Sequence, residues 1–477
     1  MEIEKEDIQG LIARGYKNLP SSAYLILQFT SKKRASQYLE TITSHISNAI
    51  AAPEIIATHA AFTYKGLEFL GVHKDTLSSF SRPFKEGMTE SHRQFVLGDI
   101  EYNNPNTWNW GGANNPTIHM VLMLFAVNDT KLREVYSNHQ NLFSTHDILE
   151  IKYLSTTVLK DKKEHFGFRD SISQPIMRGF GKSNELPKED TTPTGEFILG
   201  YKNWYDQYPD SPHVKKDNDI REVLSNKKEN QNLKDLGRNG SYMVFRQISQ
   251  DVLEFWNYMK STSSEPNVDK KTENAIQLAS KMVGRWPSGA PLIKTPEKDN
   301  PDYATDNDFK YWNEDFNGLK CPLGSHIRRT NPRDWLLTEK TDVESKEMSQ
   351  KHRLLRRGRS YGDPLVDSMV TEDIVNANDD SQPRGLHFIC FVGDITRQFE
   401  FIQNSWVKFH KFGGLYDDSD PLIGTHYSNS EITSDTFTVQ SKPFRRRYCN
   451  MPAFTKIEGG EYFFFPGIKA FQYIASI

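Results

Sequence analysis

The sequence predicts an α+β protein built by duplication. Three observations carry this: apolar strand-like runs each followed by a helical stripe, the same succession in both halves, and a polar stretch between them. The run from Ala23 to Phe29, holding Leu25, Ile26, Leu27 and Phe29, suits a buried strand. Behind it Ala35, Leu39, Ile42, Ile46, Ala49 and Ile50 recur at steps of three and four, one face of a helix for which Ser31 is a candidate cap. Met120 to Val127 reads as the second strand, and Leu132, Val135 and Tyr136 mark the helix after it. Between these units, Phe80 to Gly112 is rich in Gly, Pro, Asn and Trp and reads as a long ordered loop.

The second half repeats the plan. Tyr242 to Ile248 leads as a strand into a helix from Asp251 to Met259, and Gly385 to Phe391 is followed by a helical stripe of Phe399, Ile402, Trp406 and Phe409. Two halves of this kind, each with its own apolar core and helices on one sheet face, make a ferredoxin-like repeat the simplest candidate. The boundary lies within residues 182–239, which are poor in large apolar residues apart from Phe197 to Leu199, giving domains of 1–235 and 236–477. A charged insertion, Thr338 to Lys351, is expected to be a surface loop.

Composition narrows the class. With 36% hydrophobic and 25% charged residues, and no apolar run longer than His119 to Val127, no membrane segment is expected. The acidic start, Met1 to Asp7, lacks an apolar export core, so a cytoplasmic location is expected. Three cysteines, Cys321, Cys390 and Cys449, are odd in number and far apart; that excludes a disulfide scaffold, a CxxC zinc site and a CxxCH haem attachment. A formal net charge of −3 argues against a nucleic-acid-binding surface, although Lys351 to Arg359 and Arg445 to Arg447 are locally basic.

Four stretches hold candidate chemistry. Cys321 to Arg333 (CPLGSHIRRTNPR) carries His326 between two turn signals and is followed by Arg328 and Arg329. A neutral imidazole is a good ligand for haem iron, and nearby guanidinium groups suit haem carboxylates; a hydrogen-bonded surface histidine is the plain alternative. Phe166 to Pro175 (FGFRDSISQP) places Asp170 at a tight bend, either a buried acid or an Asx turn. Arg353 to Gly362 (RLLRRGRSYG) is an anion site or a solvated basic face. Asp394, at the end of the strand from Gly385, is a functional carboxylate or a helix cap. Periodicity decides none of these.

Taken together, CPLGSHIRRTNPR, the GFRDS segment and LLRRGRSYG resemble the three haem-site motifs of the dye-decolourising peroxidases. Asp7 to Leu11, Ala61 to Leu67, Asn239 to Tyr242, Gly284 to Gly289, Arg397 to Glu400 and Gly459 to Phe464 are also similar to that family, in order, above all to its larger bacterial and fungal branch. The resemblance implies a duplicated ferredoxin-like fold of the dimeric α+β barrel type, with antiparallel sheets, helices packed on them and haem held in the second domain.

It implies His326 as the iron ligand, Arg329 on a haem propionate, Asp170 as the distal acid, Arg356 as the distal arginine, Asp394 as the acid hydrogen-bonded to the ligand histidine, and Leu386 and Phe388 over the distal face. One non-covalent haem b per chain is implied, with hydrogen peroxide and small aromatic reductants such as dyes and phenols as substrates. A monomer or homodimer is expected. Arg356 would stabilise charge on the leaving oxygen while Asp170 moves a proton between the peroxide oxygens. Bulky donors would be oxidised at the surface, with Tyr361 as first candidate. The family closes its acid motif with Gly and usually has Asn where Ser171 and Gln174 stand here. A haem carrier or iron-release protein with little turnover is the alternative.

Overall fold

A computed structural model describes residues 2–263, 270–336, 340–427 and 433–477. Its strands are β1 (Ser21–Phe29), β2 (Ile56–Phe62), β3 (Met120–Ala126), β4 (Ile148–Ser155), β5 (His213–Lys215), β6 (Leu233–Asp235), β7 (Ser241–Gln250), β8 (Leu355–Arg356), β9 (Arg359–Tyr361), β10 (Gly385–Val392), β11 (Phe437–Val439), β12 (Arg446–Tyr448) and β13 (Thr455–Phe465). Nine of them form one sheet in the order β4-β1-β3-β2-β13-β7-β10-β8, with β9 also on β10; β5 pairs with β6 and β11 with β12. The pairings within the nine-stranded sheet are antiparallel. Its edges meet, because Thr157 N donates to Ser360 O at 2.8 Å and so links the end of β4 to β9.

The four strands read from sequence are there as β1, β3, β7 and β10; β2, β4 and β13, with the short strands β5, β6, β8, β9, β11 and β12, are additional. β4 was hard to see because burial along it is broken and Leu149 and Tyr153 are exposed. β3 is buried at every position, so its apolar run has no alternation: both faces of the sheet are covered. On the outer face Leu25, Leu27, Leu122, Leu124, Val244 and Phe464 pack under the helices Lys32–Thr43, Asp129–His146 and Ile468–Ala475. On the inner face Tyr24, Ile26, Val121, Met123, Phe245 and Phe463 meet Leu11 and Ile12 of the one-turn helix Gly10–Ala13, and Phe197 and Ile198 from the supposed boundary region. These three helices therefore lie on one face.

Three local expectations change, the first being the loop from Phe80 to Gly112, which carries the helices Arg82–Glu86 and Ser91–Leu97. The helix after β1 stops at Thr43, short of Ile46 and Ala49, and the Ser31 side chain does not cap it. Within the charged insertion, Asp342–Gln350 is a helix rather than a loop, because Thr341 and Glu344 form a reciprocal capping box; Thr338 and Glu339 lie outside the described residues. The division at 235/236 falls between β6 and β7. The halves do not have separate cores, however: β13 pairs along β7 and also meets β2 at Phe464 and Phe62, so each apolar layer runs through both. Among the described residues no helix is long and apolar enough to cross a membrane.

Candidate active site

His326 opens the short helix His326–Thr330. The turn before it is closed by Ser325 N on Pro322 O, and the Ser325 hydroxyl donates to Lys281 O at 2.5 Å, which fixes where the helix begins. The imidazole Nδ1 lies 3.1 and 3.0 Å from the two carboxylate oxygens of Asp420. Asp420 is fully buried and also accepts from the N–H groups of Leu422 and Ile423. Burial alone would raise its pKa, but His326, Arg329 and the Leu422 N–H together hold it below the usual carboxylate value. Nε2 of His326 has no hydrogen-bond partner among the described residues, and the side chain keeps 23% of its exposure.

Two expected residues are elsewhere. Asp394 does not meet His326: it accepts from Arg397 N at 3.0 Å and lies 3.9 Å from the Arg397 guanidinium, so the local cap has claimed it. The acid at Nδ1 is Asp420, which sequence reading missed. Asp417, Asp418 and Asp420 cluster in one acidic stretch, with no periodic signal to separate the buried ones. Arg329 is not available to a ligand carboxylate either. It is fully buried and donates to the carbonyls of Trp406, Val407, Phe409 and Asp418, bolting the His326 helix to the chain that carries Asp420.

Arg356 sits on β8 opposite Cys390 of β10. Side chains directly across an antiparallel pair share a face, as do alternate residues along one strand, so Arg356, Cys390, Phe388 and Leu386 lie on one side of the sheet. Leu386 and Phe388 are half-buried, whereas His387 and Ile389 between and beside them are buried on the inner face. Arg356 Nη1 is 3.7 Å from Asp170 Oδ1 across the two halves of the chain. Arg356 also donates from its backbone N to Gln174 Oε1 and from Nη2 to Ser173 O, so the acid loop is stitched to β8.

Ser171 has φ of +64°, the left-handed region that favours glycine, and its N–H donates to Asp170 Oδ1 at 2.5 Å. A serine thus holds a bend whose backbone favours glycine. Upstream, Glu164 accepts from the N–H groups of Phe166 and Phe168 and from Gln250, and burial pushes its carboxyl up to about 7.

Two other arginines of the basic run, Arg357 and Arg359, are spent on structure. Arg357 donates to Leu11 O and Ile12 O, and Arg359 to Pro20 O and Tyr16 O while lying over the Phe125 ring. Tyr361 is only 8% exposed and stacks on His387 at 4.7 Å, a core tyrosine rather than a surface group.

Among the described residues no three or more His, Cys, Asp or Glu side chains converge as a metal site. His326 is therefore a single protein donor, with Nδ1 held by a carboxylate and Nε2 unpaired. That donor set fits an iron whose other ligands come from a macrocycle. An arginine and a carboxylate on separate segments, beside half-buried apolar side chains, form a polar pair able to donate to one atom and exchange a proton with another.

The fold and this arrangement define a duplicated α+β protein with a peroxidase-type donor set. A family model for the C-terminal part of Dyp-type peroxidases matches residues 211–444. The dye-decolorizing peroxidase msp1 of Mycetinis scorodonius is 29% identical over 99% of this chain and 87% of its own. The multifunctional dye peroxidase DyP2 of Amycolatopsis sp. is 25% identical over 91% of this chain and 85% of its own. A dye-decolorizing peroxidase solved in complex with 2,6-dimethoxyphenol superposes with a TM-score of 0.77 at 25% identity, covering 99% of this chain and 100% of that one. Along nearly its whole length the chain is similar to the dye-decolourising peroxidases.

Proposed function

We propose that the chain is a haem peroxidase that reduces hydrogen peroxide and oxidises dyes, phenols and similar small aromatic donors one electron at a time. The observation that carries this reading is the His326–Asp420 pair, a single imidazole with one nitrogen held by a buried carboxylate and the other unpaired. One non-covalent haem b per chain would be bound at His326, and when bound it supplies the electrons that cleave the peroxide bond.

The chain's own residues do the rest. Asp420, accepting from Nδ1, fixes the imidazole tautomer and leaves the lone pair of Nε2 as the donor. Arg356 offers guanidinium N–H groups where negative charge develops on the departing oxygen. Asp170, within 3.7 Å of that guanidinium, takes the proton from one peroxide oxygen and returns it to the other. Leu386 and Phe388 supply an apolar wall that limits water. Residues 1–235 contribute the acid loop and 236–477 the histidine, its acid and the arginine. Three free thiols, one of them exposed, are in keeping with a reducing, cytoplasmic setting. A carrier without turnover is not favoured, since it has no use for a proton-transfer acid beside an arginine.

The test is direct. Protein purified from haem-replete cells should show a Soret band and oxidise a dye with peroxide. His326→Ala should lose the band or change its ligand signature while keeping the far-UV circular dichroism. An unchanged histidine-ligated spectrum in that variant overturns the assignment.

A further inference from the structure

His426 stands on the same loop as Asp420, six positions further on. Its ring is buried between two backbone carbonyls: Nδ1 is 2.8 Å from Pro452 O and Nε2 is 2.8 Å from Asp420 O. A carbonyl oxygen only accepts, whereas a neutral imidazole carries one N–H and one lone pair. Both contacts are therefore hydrogen bonds only when the ring is doubly protonated. In the neutral form a lone pair would face an oxygen at hydrogen-bonding distance in a buried site, and one of the two contacts has to open.

The two carbonyls belong to different parts of the fold. Asp420 O also accepts from Gly424 N at 3.0 Å, so the imidazole grips the turn that aims the Asp420 carboxylate at His326. Pro452 lies just before β13, the strand that runs along β7, and Thr455 at the start of β13 donates from Oγ1 to Leu422 O at 2.7 Å. Tyr102 holds the loop from a third side, its hydroxyl donating to Gly424 O and accepting from His426 N. The charged and titratable groups around the ring are Asp420, Asp435 and the Tyr102 phenol, with His326 and Arg329 on the far side of Asp420. Burial pulls the His426 pKa below the ordinary histidine value, while the two carbonyls and the two acids push it up. The proton is therefore gained and lost on the acid side of neutrality.

We propose that His426 is a positioning residue for the His326–Asp420 pair, a role that rests on the haem reading above: doubly protonated, it ties the Asp420 turn to the root of β13, and loss of one proton opens one tie and loosens the hold of the carboxylate on His326. A firm hydrogen bond from Nδ1 to a carboxylate gives the imidazole more anionic character and strengthens its bond to iron.

The experiment follows the iron–histidine stretching band of the ferrous, haem-loaded protein by resonance Raman across about pH 4 to 8. In wild type the band should move to lower frequency in one single-proton step as pH rises. His426→Gln donates to one carbonyl but never to both, so its band should stay at the high-pH position of wild type throughout. Asp420→Asn should also abolish the step, because the carboxylate through which His426 acts has gone. A wild-type band that does not move, or a step that survives in either variant, overturns the role of His426 and leaves the haem reading in place. Wild type that takes up no haem, or holds it without an iron–histidine band, overturns that reading itself, and the positioning role with it.

Discussion

The Nδ1 of His326 lies 3.0 Å from a carboxylate oxygen of Asp420, 94 positions further along the chain. A fully buried carboxylate at that nitrogen makes the imidazole a stronger donor through Nε2. Asp420→Asn should therefore keep haem and raise the ferric–ferrous reduction potential in a spectroelectrochemical titration. Asp394→Ala should leave the potential where it is and lower stability by about 1 kcal/mol, the usual value of a lost helix cap. If the potential moved with Asp394 and not with Asp420, the pair described here would not be the functional one.

Arg356 and Arg359 should separate in the same way. Losing one preorganised donor typically costs a factor of about a hundred to a thousand, so Arg356→Leu should slow peroxide cleavage by that order in stopped-flow mixing. Arg359→Leu removes bonds to Pro20 O and Tyr16 O, and should lower the melting temperature with little change in that rate. The opposite ranking would mean that the other arginine serves the reaction.

Ser171 holds a left-handed backbone at φ +64°. Serine there costs roughly 1 kcal/mol relative to glycine. Ser171→Gly should raise thermal stability modestly and keep turnover, whereas Ser171→Val, β-branched in the same conformation, should lower both. Equal melting temperatures for the serine and valine proteins would show that the bend is not strained.

Tyr361 should be silent in dye oxidation. It is buried against His387 on the inner face, out of reach of a bulky donor. Tyr361→Phe should leave steady-state oxidation of a large dye within about twofold of wild type; a loss specific to large dyes, with small phenols unaffected, would restore it as a relay.

Glu164 gives a pH dependence whose sign follows from its raised pKa. Protonated in the fold up to about 7 but only to 4.5 when unfolded, it stabilises the fold fully below 4.5 and loses that contribution as pH rises through 7. With its residual exposure allowed for, the effect is on the order of 2 kcal/mol. Between about pH 5 and 8 the wild-type melting temperature should fall relative to that of Glu164→Gln. Parallel curves would show that the carboxyl titrates normally.

Much of this was legible in the sequence for physical reasons. β1, β3, β7 and β10 are continuous apolar runs because both faces of their sheet are covered, and such runs announce themselves. β4 was hidden because its side chains alternate irregularly between core and solvent. The register expected for the basic run came from the resemblance, and strand pairing puts Arg356 opposite Cys390 and Arg359 opposite His387. Asp420 was not readable. It is a buried acid in an acidic stretch, a condition that leaves no mark on neighbouring residues. Asp394 misled because a strand-end aspartate looks the same as cap or as functional acid.

The bonds from Arg357 to Leu11 O and Ile12 O have a consequence for the order of synthesis. They span 346 and 345 positions, and the Asp7 carbonyl likewise waits for Ile468 N. At 5–20 residues per second the opening segment leaves the ribosome roughly 20–70 s before the arginine that grips it. β1 to β4 can pair early, but β8 is braced only when chain ends made far apart in time come together. A nascent chain released early therefore carries a partly formed sheet and an unbraced arginine strand, so peroxide chemistry begins only after the whole polypeptide exists.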